Sequence, residues 1–210
     1  MTRLRHEMDS IAMLRQQLHT VNLRLHHSAG DLTAAELTAR PLPGVNPIGF
    51  ILWHMARSQD WAVNTAIRGR PELIKVEPWS WSPLAHPGIG TGFDETEAHE
   101  VAREIELRPL LAYADAVHRD AVAWLESLSE ADLDSIPDVA AHDAPYAEYQ
   151  TAGFRAEMDS GPEHDDAVAG KGGLPAWIFL TSVALTHLHR HLGEVDLIKD
   201  LLRRPSAEKA

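Results

Sequence analysis

Residues 185–198 read LTHLHRHLGEVDLI, and this stretch predicts both a helix and a metal site. His187 and His191 are four residues apart, so on an α-helix their side chains lie one turn apart on the same face. That face also includes four apolar residues, Leu180, Ala184, Ile198 and Leu201. Imidazoles at buried positions are costly unless they are satisfied, and a metal ion that binds one nitrogen of each ring would satisfy them.

Three further long helices are predicted before this one. Apolar residues recur every three or four positions from Leu4 to Leu25, which is typical of an amphipathic helix. A second helix is predicted over 47–68, with Asn46 as its N-cap and Pro47 in its first turn. Pro109 is predicted to open the third long helix, and Pro175 the last.

Shorter capped helices are predicted between the long ones. Thr33 to Glu36 and Asp94 to Glu97 both have the form of a capping box, and Ser129 begins a further capped turn. No segment alternates apolar and polar residues between hairpin turns, so no strand is predicted. These patterns indicate an all-α four-helix bundle with long crossover loops, formed by residues 1–210 as a single domain.

Two long irregular stretches interrupt the helical pattern. Residues 72–93 are rich in proline and glycine and include Trp79, Trp81 and Phe93, so this loop either covers a pocket or is anchored for stability alone. Residues 136–174 are acidic and longer than a plain connection needs. We expect this second stretch to be a lid, an oligomer contact or partly disordered.

Composition excludes several functions. The net charge is −12 without any long basic run, which disfavours nucleic acid and anionic membranes as partners. The chain has no cysteine, so disulfides, cysteine-based zinc sites and a cysteine nucleophile are excluded. No apolar stretch is long enough to span a bilayer, and the N-terminal residues form no apolar signal core. We expect a cytoplasmic protein.

His54 is the expected third ligand. It lies between Ile51 and Trp61 on an otherwise apolar segment of the second helix. Together with His187 and His191 it would form an open three-histidine site, which leaves coordination positions for water or a substrate. Neutral imidazoles suit zinc, nickel, copper or iron, and their spacing does not choose among these metals. The other histidines, among them His26, His27 and His118, are not expected to be ligands.

Glu194 is one turn beyond His191, and several roles are open for it. It could orient an imidazole, act as a fourth ligand, or act as a general base towards metal-bound water. It could equally be a polar residue at the end of the bundle. The chain contains no phosphate-binding glycine loop, no His-Glu-x-x-His pair and no nucleophile elbow, which leaves the histidine constellation as the main chemical signal.

Two blocks of the sequence resemble the DinB/YfiT-like superfamily of metal-binding four-helix bundles. LTAAELTARPLPGVNPIGFILWHMARSQDW, residues 32–61, resembles the first loop and second helix of that family, with His54 at its metal-ligand position. LTHLHRHLGEVDLI resembles its last helix, which has the His-x3-His pair followed by Gly-Gln or Gly-Glu, here Gly193-Glu194. The blocks occur in the expected order and the resemblance spans nearly the whole chain.

The resemblance implies a divalent metal, often zinc or nickel, and a homodimer. Some relatives are transferases or isomerases that use a low-molecular-weight thiol such as mycothiol or bacillithiol. Because this chain has no cysteine, such a thiol would have to be a cosubstrate. Trp61, Trp79 and Trp81 would then flank the small-molecule acceptor.

Three functions are therefore compatible with the sequence. The first is metal-dependent transfer or isomerisation with a thiol cosubstrate. The second is a metal-dependent hydrolase in which Glu194 is the base. The third is a noncatalytic, dimeric metal-binding module. A shared fold does not distinguish among them.

Overall fold

The computed structural model describes residues 9–76, 78–80, 88–137 and 175–204. Within these ranges the regular elements are helices and no strand is present, which confirms the predicted all-α class. The four long helices are α1 (Ser10–Ala29), α3 (Ile48–Asp60), α5 (Leu107–Leu125) and α8 (His187–Arg203). The shorter helices are α2 (Ala34–Thr38), α4 (Glu95–Glu104), α6 (Glu130–Leu133) and α7 (Ala176–Thr181).

The long helices form a bundle. Helix α1 packs against α5 and α8, and α3 packs against the same two helices. Every long helix therefore has two long neighbours, and the apolar faces meet in one core. Because α3 and α8 are neighbours, the histidines of the two helices can come together.

Side-chain caps begin several of the helices where the sequence predicts them. Asp9 accepts a hydrogen bond from the backbone N–H of Ala12 at the start of α1. Complete capping boxes precede α2, α4 and α6, with Thr33, Asp94 and Ser129 as the N-cap residues. Each cap satisfies backbone donors that the first helical turn leaves unpaired.

The predicted start of the first helix near Leu4 is wrong, since α1 begins at Ser10 after its N-cap Asp9. Two other predicted helix starts are wrong as well. The N-cap of α3 is Pro47 and not Asn46, and no side chain caps this helix. Helix α5 begins at Leu107, two residues before Pro109, because proline is tolerated anywhere in the first turn, where its missing N–H would have no partner. Neither difference moves the face that the helix buries.

The second and last long helices are not purely α-helical. Residues Trp61–Ile67 continue α3 as a π-helix, and Ser182–Thr186 form a second π-helical segment between α7 and α8. The second segment ends directly before His187. A π-helical turn contains one residue more than an α-helical turn, so it rotates the following residues relative to those before it. Such segments are frequent at functional sites.

Parts of two predicted loops lie outside the described residues. These are residues 77 and 81–87 of the first loop, which include Trp81, and residues 138–174 of the acidic stretch. No helix in the described part of the chain combines the length and the apolar character that crossing a bilayer requires.

Candidate metal centre

Three histidines from two helices meet at the centre of the α3–α8 contact. His54 lies in the middle of α3, His187 is the first residue of α8, and His191 follows one turn later. Nε2 of His187 is 3.1 Å from Nε2 of His54 and 2.9 Å from Nε2 of His191. One nitrogen from each ring lies within 4.8 Å of the others, so the three could hold a metal ion. The structure thus brings together the three histidines predicted as ligands.

The outer ring nitrogens of two of these histidines have hydrogen-bond acceptors. Nδ1–H of His54 donates to the carbonyl oxygen of Ile89 at 2.5 Å. Nδ1–H of His191 donates to Oε2 of Glu194 at 2.6 Å. A carbonyl and a carboxylate can only accept, so the proton of each neutral ring is on Nδ1. Nε2 of each ring is therefore an unprotonated lone pair directed at the cluster.

Burial keeps the rings of His54 and His187 neutral. Desolvation lowers the pKa of His54 to about 4, against a hydrogen bond to Ile89 that raises it. Desolvation also lowers the pKa of His187 to about 2, and its two histidine neighbours lower it further. The hydrogen bond from His191 lowers the pKa of Glu194, so that carboxyl group is ionised at neutral pH.

Hydrogen bonds among the rings cannot satisfy this cluster. When all three rings are neutral, as metal ligands must be, only His187 is able to place a proton on Nε2, and that proton can be donated to one neighbour at a time. At least one of the two contacts near 3 Å therefore brings together two lone pairs. Nδ1 of His187 is buried and has no hydrogen-bond partner among the described residues. A cation at the centre would remove the repulsion between the three acceptors.

The spacing of the donor atoms fits such a cation. Tetrahedral zinc with Zn–N bonds of about 2.0–2.1 Å separates its ligand nitrogens by about 3.3 Å. The observed separations of 2.9 and 3.1 Å are slightly shorter, so a small outward movement of the rings would reach that geometry. Three neutral imidazoles leave at least one coordination position for another molecule.

A cavity of about 490 Å³ adjoins the histidines. Three aromatic side chains contribute to its wall, Phe50, Trp61 and Phe93. The ring of Phe50 is stacked on that of His54, with the planes 8° apart and the centroids 5.9 Å apart. The cavity is large enough for a small organic molecule, and its aromatic wall would exclude water from one side of the cluster.

The loop around Ile89, whose carbonyl orients His54, is held by Arg57, and Arg57 is itself held in a buried ion pair. Nε and Nη2 of Arg57 donate to the carbonyl oxygen of Gly88, at 3.2 and 2.7 Å. Nη1 of the same arginine lies 2.7 Å from Oε2 of Glu72, and the two side chains are 2% and 0% exposed. This ion pair fixes the backbone one residue before Ile89, whose carbonyl receives the proton of His54.

A second buried polar network is centred on Asp60, the last residue of α3. The carboxylate of Asp60 accepts hydrogen bonds from Asn64, from the backbone N–H groups of Leu73 and Ile74, and from the hydroxyl of Tyr113. The contact with Tyr113 is 2.6 Å long. Burial raises the pKa of this tyrosine well above its usual value, so the hydroxyl stays protonated and donates. The network joins the π-helical end of α3 to the following loop and to α5.

The other predicted site residues occupy different places. Trp61 lines the cavity. Trp79 is not among the residues lining it, and its ring packs on Tyr113 with centroids 5.6 Å apart. Glu194 also does not line the cavity, because its carboxylate lies behind the ring of His191. Of the roles open to Glu194, this geometry favours orientation of an imidazole.

Two functional groups were not predicted from the sequence. The carbonyl of Ile89 is a backbone atom in an irregular loop, so no residue type announces it. The ion pair of Arg57 and Glu72 joins two elements whose contact depends on the fold. Arg57 lies one turn after His54 on a buried helix. A charged residue at a buried position usually has a charged partner, and this was the only sign of the ion pair in the sequence.

The fold and the three histidines define a helical bundle with a candidate metal centre. A family model described as the DinB superfamily matches residues 17–195, and the chain belongs to this superfamily.

A protein of solved structure has a similar fold. It is described as a conserved protein from Enterococcus faecalis, and it is 17% identical to this chain with a TM-score of 0.65. The alignment covers 92% of this chain and 97% of the other. No curated protein matches.

Proposed function

We propose that the protein binds one divalent metal ion through His54, His187 and His191, and that it is a transferase or isomerase that uses a low-molecular-weight thiol such as mycothiol or bacillithiol. One observation carries the metal assignment. Nε2 of His187 lies within 3.1 Å of Nε2 of His54 and of His191, and the Nδ1 atoms of those two rings face hydrogen-bond acceptors at Ile89 and Glu194. Neutral imidazoles suit zinc, nickel, copper or iron, and the resemblance to the superfamily favours zinc or nickel among them.

The thiol cosubstrate is what the resemblance to the DinB/YfiT-like superfamily implies, and an open metal site in a chain without cysteine is compatible with it. A bound divalent ion with a free coordination position lowers the pKa of a thiol, so it supplies a nucleophile at neutral pH. The chain contributes no thiol of its own. Its residues would hold the ion, and Phe50 and Trp61 would keep water away from the acceptor. Glu194 and the carbonyl of Ile89 would keep the protons of their histidines on Nδ1.

The geometry supports a hydrolase less well. A general base must reach the proton that it removes, directly or through one water. The carboxylate of Glu194 instead accepts the Nδ1 proton of His191 and does not line the cavity. A homodimer and a cytoplasmic location remain predictions.

The test is the metal content of protein purified without added metal and without an affinity tag that contains histidine. Elemental mass spectrometry should find about one equivalent of zinc or nickel in the wild type. His54→Ala and the double variant His187→Ala/His191→Ala should each lose it. Circular dichroism would confirm that the variants remain helical, since removing a buried ring can also destabilise the fold.

Metal-free wild type that takes up no zinc or nickel on titration would overturn the metal assignment. The thiol proposal has its own test. The metal-loaded protein should consume a low-molecular-weight thiol in the presence of small electrophiles, and His54→Ala should not. A metal-loaded protein that turns over esters or amides without any thiol would favour the hydrolase.

A further inference from the structure

The cavity beside the histidines differs in charge from the rest of the molecule. The chain has a net charge of −12, with 31 acidic residues against 19 basic ones. No aspartate or glutamate is among the described residues that line the cavity, while Arg190 is. A divalent ion on the histidines would add two further positive charges. With that ion bound, the described lining would carry positive charge and no carboxylate, which favours an anionic ligand.

Arg190 marks the open part of the cavity wall. Its side chain is 61% exposed, and it lies on α8 between His187 and His191. Its ion pair with Glu194 is long, 3.9 Å between Nε and Oε1. Glu194 meanwhile accepts the shorter hydrogen bond from His191. The guanidinium group therefore retains N–H donors that could bind a carboxylate in a bidentate manner.

Ser58 marks the closed part of the wall. It is one turn beyond His54 on α3 and is 0% exposed, yet it lines the cavity. Its hydroxyl has no hydrogen-bond partner among the described residues. A buried hydroxyl without a partner costs stability, and a serine at this helical position has no packing advantage over alanine. A ligand that fills the cavity would give this hydroxyl its partner.

We propose that the cavity selects small organic anions with an apolar body, whose negative group pairs with Arg190 and whose second polar group hydrogen-bonds to Ser58. The aromatic side chains Phe50, Trp61 and Phe93 would contact the apolar body. The proposal rests on the proposed function in one respect, since the histidines between Ser58 and Arg190 are taken to hold the metal ion.

The test uses three aromatic probes that differ at one group each: phenylacetate, its neutral amide phenylacetamide, and 4-hydroxyphenylacetate. Affinities are measured by calorimetry on protein whose zinc content has been determined for every sample. Phenylacetate should bind at least about tenfold more tightly than phenylacetamide, because the pairing with Arg190 is charge-assisted. 4-Hydroxyphenylacetate should gain roughly a further threefold from its bond to Ser58.

Matched variants assign each preference to its residue. Arg190→Gln should abolish most of the preference for the anion, whereas Arg119→Gln, which changes the net charge equally at an exposed position of α5, should keep it. Ser58→Ala should lose only the gain from the 4-hydroxyl group. Its thermal stability should not fall, because no hydrogen bond is removed.

The two proposals fail in different ways. Absence of zinc in the wild type would contradict the proposed function. Zinc-loaded protein that binds none of the probes, or that binds acid and amide equally, would overturn the anion proposal. A preference for the acid that persists in Arg190→Gln would do the same.

Discussion

Histidines cluster in two regions of this bundle, and the two clusters are built differently. On the α3–α8 side, three Nε2 atoms meet while Ile89 and Glu194 hold outer ring protons. On the α1–α5 side, Nδ1 of His19 lies 3.0 Å from Nε2 of His118, and no third ligand group completes the pair among the described residues. One proton shared between these two rings satisfies that contact.

The difference shows that the outer hydrogen bonds, more than burial, distinguish the candidate metal site from the other histidine cluster. His118 is as buried as His54, at 7% and 8% exposed. His26 lies in the second region too, but Nε2 of its ring is paired with Asp115 at 2.7 Å and is not directed at the pair. Where the acceptors lie on the outer nitrogens, lone pairs converge. Where the rings and carboxylates pair with one another, the ring nitrogens do not converge on one point, and the buried Nδ1 of His118, which has no hydrogen-bond partner among the described residues, faces no second ligand group that would complete a metal site.

The largest expected difference between the two clusters is in zinc affinity after histidines are removed from one cluster or from the other. His187→Ala/His191→Ala should lower the affinity for zinc by more than about 100-fold, since two of three ligands are lost. His19→Ala and His118→Leu should each change it less than about twofold. Competition with a coloured chelator measures both. Zinc lost equally from both sets would contradict the distinction.

Gly90→Ala should have the next largest effect. Gly90 has φ +90°, and an added Cβ would come within 2.8 Å of Trp53 Cζ3. Backbone strain and the clash together should cost about 2–3 kcal/mol of unfolding free energy and displace the carbonyl of Ile89. The unfolding free energy measured with urea and the affinity for zinc should both fall.

Gly92→Ala is the matched control for this substitution. Gly92 has φ +83° and no atom lies within 4 Å of an added Cβ. Gly92→Ala should therefore lose only about 1 kcal/mol of unfolding free energy, from backbone strain alone. Equal losses in the two variants would mean that the clash with the aromatic side chains contributes nothing.

Glu194→Ala should weaken zinc binding by about 10- to 100-fold, the range typical of partners that orient a ligand. The loss arises because Nδ1–H of His191 would lack its acceptor. Glu194→Gln keeps an acceptor oxygen, so it should recover part of the affinity. If the two variants were equally weak, the charge of the carboxylate and not its hydrogen bond would be the cause.

The smallest effect concerns pH and the α1–α5 pair. Desolvation and the neighbouring His19, Arg119 and His26 lower the pKa of His118 to about 4 from 6.5, while Asp115 raises it. The unfolded chain therefore binds a proton more readily than the folded one. The contribution of His118 to the unfolding free energy is therefore complete above about pH 6.5 and is lost as the pH falls towards 4.

His118→Leu should reduce this pH dependence. In metal-free protein, the difference in unfolding free energy between pH 7 and pH 5 should be about 2 kcal/mol smaller than in the wild type. Urea unfolding at the two pH values measures it. The other histidine cluster is the same in both proteins, so its contribution cancels in the comparison. An unchanged difference would show that His118 is not desolvated.

The helical class and the three-histidine cluster were predictable from the sequence because both depend on periodicity. A spacing of four places His187 and His191 on one face, and the apolar stripe directs that face inwards. His54 was expected as their partner, and its helix does pack against theirs. Capping boxes were equally readable, since their residues are three positions apart.

Contacts between distant backbone and side-chain groups were not predictable in this way. The carbonyl of Ile89 is 35 positions from His54, and the ion pair of Arg57 with Glu72 depends on how a loop returns to α3. The π-helical segment before His187 also has no residue signature. The segment is instead stabilised by contacts with other helices. In one of them, the side-chain amide of Gln59 on α3 donates a hydrogen bond to the carbonyl of Ala184 within the segment.

The acceptor supplied by Ile89 has a consequence for how this site tolerates change. A backbone carbonyl is present in every residue type, so no substitution at position 89 can delete it. Insertions, deletions and loss of the glycine at position 90 can move it. Related chains can therefore drift in identity at this position and keep the same histidine orientation, provided that the length and turn of the loop are inherited intact.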